Sequence, residues 1–263
     1  MDFVVAIPSY QRAKKLRDQT LAFLRREEVP TEKIFVFVAD EQEKKSYEKV
    51  LEPGSFGSLV VGVPTLHHQR NFIQNFFPQD QKILWIDDDI KKLKFKTSYR
   101  HLLPFVEEMF NLCVKEKLNL WGIYPVNNVF FLKERAVVGK LFCVHCFCGT
   151  INTKDLSYMN SCTDDKYLSL FRYVADGAVL RYDGACPDTV YNTKGGLTEH
   201  RALFRTQELR ELIKTYPELC QIKKKANGRE EVVWRSQYKK ILSLSSIQVI
   251  TDDTNGGLDE GTG

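Results

Sequence analysis

Four short apolar runs, each stopped by polar residues, constrain this chain more than any other feature. They are "FVVAIPSY", "KIFVFVAD", "SLVVGVP" and "KILWID". Their residues are apolar without alternation, which marks strands buried on both faces, as in a parallel sheet. Between them lie helical patterns. "RAKKLRDQTLAFLRRE" places Leu16, Leu21, Phe23 and Leu24 at helical spacing, "EQEKKSYEKVL" gathers Tyr47, Val50 and Leu51, and "HHQRNFIQNFF" follows the third run. Strands alternating with helices predict an α/β fold, a sheet covered by helices on both sides. Pro8 ends the first strand, since proline has no N–H to give to a ladder.

In such sheets chemistry gathers beyond the C-terminal strand ends. Three of those ends are polar: Ser9 to Arg12, Asp40 with Glu41, and Asp87 to Asp89. The last is the sharpest, because three adjacent carboxylates repel one another. Extended geometry would send Asp87 and Asp89 to one side and Asp88 to the other. Hard oxygens at that spacing suit Mg2+ or Mn2+ carrying a diphosphate. The plainer alternative is pairing with Lys91 and Lys92, although surface pairs contribute only about 0–1 kcal/mol each.

Further residues carry weaker signals. Arg70, near the start of "HHQRNFI", offers a planar guanidinium for a phosphate or uracil edge, with Asn71 beside it. His67 and His68 read as capping or exposed. Asp164 and Asp165 open a helical pattern, "TDDKYLSLFRYVAD", with Thr163 as N-cap. One of the pair suits a general base and the other an orienting role. Gly195 and Gly196 allow close approach of backbone to a ligand, and His200 is a further metal-ligand candidate.

The second half is less regular, with helices at "LLPFVEEMFNLCVKEK" and "RTQELRELIKTY", strands at "LNLWGIY" and "GAVLRYD", and longer antiparallel strands at "GKLFCVHCFCGTINT". Seven cysteines suit reduced, cytosolic thiols rather than a disulfide framework. Cys143, Cys146 and Cys148 lack the second ligand pair of a zinc site, so a buried strand is the reading taken, with zinc left open. No run approaches the roughly 20 apolar residues of a membrane span, and the expectation is a cytoplasmic protein with no membrane partner. Residues 1–250 read as one domain and 251–263 as a flexible tail. Net charge is +4, too mild to indicate nucleic acid by itself. The local patches "KKLKFK" (Lys91 to Lys96) and "IKKKANGR" permit a polyanionic partner.

The order "AIPSYQR", "VADEQE", "IDDDI" and a late acidic pair resembles glycosyltransferases of the GT-A, Rossmann-like fold. More narrowly, "VGVPTLHHQRNFIQNFFPQDQKILWIDDDI", then "WGIYP" and a late "GG", resembles the glycosyltransferases associated with TET/JBP-type dioxygenases, relatives of the base J glucosyltransferase. The resemblance spans roughly residues 3 to 200. It implies a mixed, mostly parallel central sheet and metal-dependent, inverting transfer of glucose from UDP-glucose. The acceptor it implies is the hydroxymethyl group of 5-hydroxymethyluracil or 5-hydroxymethylcytosine in DNA, in a bacterial or phage-infected cell.

Residue by residue, the resemblance puts Ser9, Tyr10 and Arg12 in the nucleotide pocket, Asp40 near the uracil and Arg70 near uracil or diphosphate. Asp87 would face the ribose and Asp89 the metal; the residues themselves add Asp88 to the donor site, and Asp87 and His200 as ligands of Mn2+ or Mg2+ beside Asp89. Gly195 and Gly196 would lie against the donor. The family's late pair is Glu-Asp, whereas this chain has Asp164-Asp165, which leaves open which carboxylate is the base. Competing expectations are a GT-A enzyme for a cell-surface or capsular glycan, a metal-dependent nuclease, and a non-catalytic DNA-binding module.

Overall fold

The computed structural model describes residues 2–96, 101–141, 146–157, 163–189, 198–224, 230–235 and 240–242, with backbone alone at 198–205 and 231. Its strands are β1 (Phe3–Pro8), β2 (Ile34–Val38), β3 (Ser58–Val61), β4 (Lys82–Ile86), β5 (Lys92–Phe95), β6 (Leu120–Ile123), β7 (Ala136–Val138), β8 (Phe147–Ile151), β9 (Leu180–Tyr182), β10 (Ala185–Asp188), β11 (Cys220–Lys224), β12 (Glu230–Trp234) and β13 (Lys240–Leu242). The helices are α1 (Ala13–Leu16), α2 (Ala22–Arg26), α3 (Glu41–Glu48), α4 (Leu66–Phe76), α5 (Leu102–Glu116), α6 (Asp164–Ala175) and α7 (Thr198–Thr215). A wider π turn, Arg17–Leu21, joins α1 to α2 without a break.

The expected α/β class is what the chain adopts. A nine-stranded sheet runs β13-β7-β9-β6-β8-β4-β1-β2-β3. The four apolar runs form its parallel half, β3-β2-β1-β4. Beyond β4 the sheet turns mixed: β8 lies antiparallel to both β4 and β6, and β9 runs parallel to β6. Strand β6 therefore points the same way as β4, and their C-terminal ends share one edge of the sheet. Because β1 is flanked by β2 and β4, that edge has a topological switch point, where doubly wound sheets open a crevice.

Each face carries its own core. Phe3, Val5 and Ile7 of β1 pack with Leu16, Leu24, Tyr47, Phe105 and Trp121. Ala6 of β1 faces the other way, toward Ile73, Phe77, Trp85 and Leu168. Period-two alternation along β1 thus feeds α1, α2 and α5 on one side and α4 and α6 on the other. Gly149 in β8 is required by this packing, since a Cβ there would meet the Trp121 indole at 2.1 Å.

Strand β8 is antiparallel, as "GKLFCVHCFCGTINT" suggested, and Cys148 sits within it, buried, with Cys146 just before it. Cys143 and His145 fall outside the described residues, as do Gly195, Gly196 and the segment 251–263. No helix among the described residues is long and apolar enough to cross a membrane. Two antiparallel pairs, β5 with β10 and β11 with β12, lie apart from the main sheet.

Candidate active site

The acidic turn is held from three directions. Strand β4 ends at Ile86, and Asp88 and Asp89 form a turn, so the alternation expected of the triplet stops at Asp87. Asp88 and Asp89 consequently face the same guanidinium: Arg12 NH1 lies 3.2 Å from Asp88 Oδ1 and 3.6 Å from Asp89 Oδ2. This corrects the expectation that Asp88 points away from Asp89. The turn's backbone is clamped by Thr20, whose hydroxyl donates to Asp87 O (2.8 Å) and accepts from Ile90 N (3.0 Å). Asp87 N donates to Cys146 O at 2.9 Å, tying the turn to the start of β8.

Two carboxylates of the turn, Asp88 and Asp89, have side-chain partners. Asp88 accepts from the Ser9 hydroxyl at 2.6 Å, and Ser9 shares a 2.7 Å hydrogen bond with the Tyr47 hydroxyl. Asp89 accepts from Lys15 Nζ and from the Thr189 hydroxyl, each at 3.0 Å. Burial pushes the Asp88 carboxyl up, against the pull of Ser9 and Arg12. Asp87 keeps part of its surface open, yet protein crowding around its carboxyl raises it to about 7; Arg70 opposes the rise, and Asp89, Asp88 and Asp164 add to it. Tyr47 is likewise raised by burial, to about 12, so it serves as a neutral hydroxyl.

Opposite the turn, Arg70 of α4 and Asp164 of α6 are both buried, with Arg70 Nε 2.6 Å from Asp164 Oδ2. The Arg70 guanidinium also lies over the Trp85 ring, 5.4 Å from its centroid. Asp165 is more open and sits 3.1 Å from Lys166 Nζ. Thr163 caps α6 by position, but its side chain accepts no helix N–H, and its hydroxyl donates to Glu208 at 3.2 Å.

Among the expected nucleotide residues, Ser9, Arg12, Asp87, Asp88 and Arg70 therefore belong to one constellation, together with Asp89 and Asp164. Asp40 does not: it is an exposed N-cap of α3, accepting from Glu43 N at 2.8 Å. Tyr10 is exposed and accepts from its neighbour Gln11. His67 and His68 share the Thr65 hydroxyl at the start of α4. His200 lies on α7, its side chain outside the described set.

Sequence reading missed Lys15, Thr20, Tyr47 and Thr189 as site residues. Thr20 left a signal: it is a polar residue at the fourth position after Leu16 on an apolar stripe, and it is fully buried. Lys15 left none, since a lysine in "RAKKLR" reads as helix surface.

A divalent ion does not fit the described carboxylates as they stand. The oxygens of Asp88 and Asp89 are engaged by Ser9, Arg12, Lys15 and Thr189. Among the described residues no group of three or more His, Cys, Asp or Glu side chains is placed to hold a metal. Arg12 and Lys15 supply positive charge at the turn.

No family model and no curated protein matches the chain. Solved structures do resemble it. A mycobacterial protein aligns with TM-score 0.50 at 8% identity, covering 90% of this chain and 83% of the other. A mannosyltransferase from Pyrobaculum calidifontis, in complex with GDP-Man and Mn2+, gives 0.47 at 13% identity, over 81% of this chain and 63% of that one. Mannosyl-3-phosphoglycerate synthase from Rubrobacter xylanophilus gives 0.48 at 10% identity, over 91% and 86%. At such identities a likeness speaks to fold alone.

Proposed function

We propose that this chain is a GT-A-type glycosyltransferase that moves glucose from UDP-glucose to the hydroxymethyl group of a 5-hydroxymethylpyrimidine in DNA. The observation that carries the transferase reading is the set of polar groups at the switch point of the sheet. Ser9, Arg12 and Lys15 follow β1, Asp87 to Asp89 follow β4, and Arg12 and Lys15 bridge the two ends. The DNA acceptor rests on the motif resemblance, from "QRNFI" through "DDDI" to "WGIYP".

In this reading the departing UDP develops charge on its diphosphate, and Arg12 and Lys15 are the cations aimed at that crevice. Fixed cations in a water-poor cleft stabilise such charge without reorganising during the reaction. Asp165 takes the proton of the acceptor hydroxyl, because Asp164 is committed to Arg70. One base and in-line attack give inversion at the anomeric carbon. A positioned base contributes about 10²–10⁴-fold to attack by a poor nucleophile such as a primary alcohol.

The test is UDP release from UDP-glucose with DNA containing a 5-hydroxymethylpyrimidine against unmodified DNA, followed by mass analysis of the nucleosides. A hexose-shifted nucleoside that is lost in Asp165→Asn supports the proposal. UDP release indifferent to DNA would remove the acceptor and keep the transferase. Cleavage of DNA without any sugar nucleotide would overturn both.

A further inference from the structure

The loop that leaves β6 presents an aromatic tip that no core claims. Its short turn, Val129–Phe131, is capped by Asn128, whose side chain accepts from Phe130 N at 3.0 Å. Phe130 is 83% exposed and Phe131 50%, their rings packed edge to face with centroids 5.4 Å apart. Val126 and Val129 are exposed beside them. Apolar residues held together in water in this way mark a contact surface.

The tip is braced rather than loose. Tyr124 N donates to Ala185 O (2.9 Å), Lys94 Nζ to Asn127 Oδ1 (2.9 Å), Asn127 Nδ2 to Asp188 Oδ1 (3.2 Å), and Lys133 N to Asp183 O (3.0 Å). These bonds seat the loop on the β5–β10 ribbon. That ribbon is continuous with the acidic turn: Lys91 N donates to Asp188 O at 3.0 Å, and Thr189, next in the chain, donates to Asp89. Since β6 and β4 point the same way, the loop and the carboxylates leave the same edge of the sheet. Lys91, Lys92, Lys96 and Lys133 are exposed on the ribbon and loop.

We propose that Phe130 and Phe131 form a wedge that enters the base stack of duplex DNA, while the ribbon lysines hold its phosphates. This rests on the DNA-acceptor reading above. The carboxylate that would meet the acceptor, Asp165, is partly buried, its side chain 22% exposed, next to Asp164 at 4%. With its base extruded, a hydroxymethyl group reaches this partly buried carboxylate, and extrusion leaves a gap in the stack. Apolar side chains inserted at a base step open the stack and occupy the space. Nucleic acid is the ligand class that combines flat apolar faces with regularly spaced anions, and this surface pairs aromatic rings with lysines.

The experiment uses the full chain and a duplex carrying one 5-hydroxymethyluracil with 2-aminopurine as its neighbour. Wild-type protein is expected to raise 2-aminopurine fluorescence on binding. Phe130→Ser/Phe131→Ser should abolish that rise and weaken duplex binding about 10-fold or more, with thermal stability and UDP binding unchanged. Its salt slope should match wild type, whereas Lys91→Ala/Lys92→Ala should lower the slope by about one to two. Wild-type affinity and fluorescence in the phenylalanine variant would overturn the wedge. So would a phenylalanine dependence confined to phosphatidylserine vesicles. If wild-type protein binds UDP but no DNA, the acceptor reading fails and the wedge with it. If wild-type and phenylalanine-variant proteins modify DNA equally, the wedge alone fails.

Discussion

Arg70 and Asp164 form a buried ion pair across the site, Nε to Oδ2 at 2.6 Å, joining α4 in the first third of the chain to α6 in the second half. Each is inserted by an apolar helix face, α4 through Ile73 and α6 through Leu168. Breaking such a pair from one side strands a buried charge and costs about 3–5 kcal/mol. Arg70→Met should thus lower the melting temperature by roughly 6–20 °C. Arg70→Met/Asp164→Leu should recover much of the loss, because no unpaired charge remains. Calorimetry of the two variants decides; a double variant no better than the single would mean the pair is not the source of the effect.

Lys15 gives a second handle. If its ammonium is the cation facing the diphosphate, UDP should bind in EDTA, and Mn2+ should not tighten it. Lys15→Met should then weaken UDP binding by about 10–100-fold, in line with about 1.5–3 kcal/mol for a charged hydrogen bond. Titration calorimetry with and without Mn2+ reads this directly. Binding by wild-type protein that requires Mn2+ would show that Lys15 yields Asp89 to the ion.

Asp87 predicts a pH dependence with a definite sign. Its carboxyl is raised from 3.8 to about 7 in the fold. Between those values the folded protein keeps a proton that the unfolded chain has released. That contribution to stability is full below about pH 4 and is lost as pH rises through about 7. Melting temperatures from pH 4 to 8 should fall less steeply for Asp87→Asn than for wild type. Parallel curves would place the titration elsewhere.

Gly149 tests the packing behind the site. A methyl group there would meet the Trp121 ring, which is buried among Phe105, Phe110 and Phe147 and cannot swing aside. Gly149→Ala should cost about 1–3 kcal/mol, read as a lower denaturation midpoint with an unchanged slope.

The parallel half of the sheet was legible because four apolar runs leave a buried strand few alternatives. The acidic turn was legible because three charges interrupt one of them. What Asp88 faces was not, since the chain leaves extended geometry at Asp87 and strand alternation no longer applies. Strand β5 lies within the charge patch Lys91 to Lys96, where lysines mask a strand, and "ACPD" of β10 contains a proline that argues against one. Asp40 sits at a strand end like Ser9 and Asp87, and its role as the N-cap of α3 sets it apart. Lys15 was hidden for a different reason, which lies in the shape of its helix.

Lys15 and Thr20 both reach the acidic turn, five positions apart. On a regular α-helix, at about 100° per residue, they would diverge by about 140°. The π turn at Arg17–Leu21 closes its ring over five residues instead, so positions five apart come nearly into line. One surplus residue thus sets the phase of the helix against the sheet. Regular α-helical winding of these same residues would leave the two side chains about 140° apart, and no register would then offer both the ammonium and the hydroxyl to Asp87–Asp89. The contacts that hold the acidic turn depend on one surplus residue in a helix.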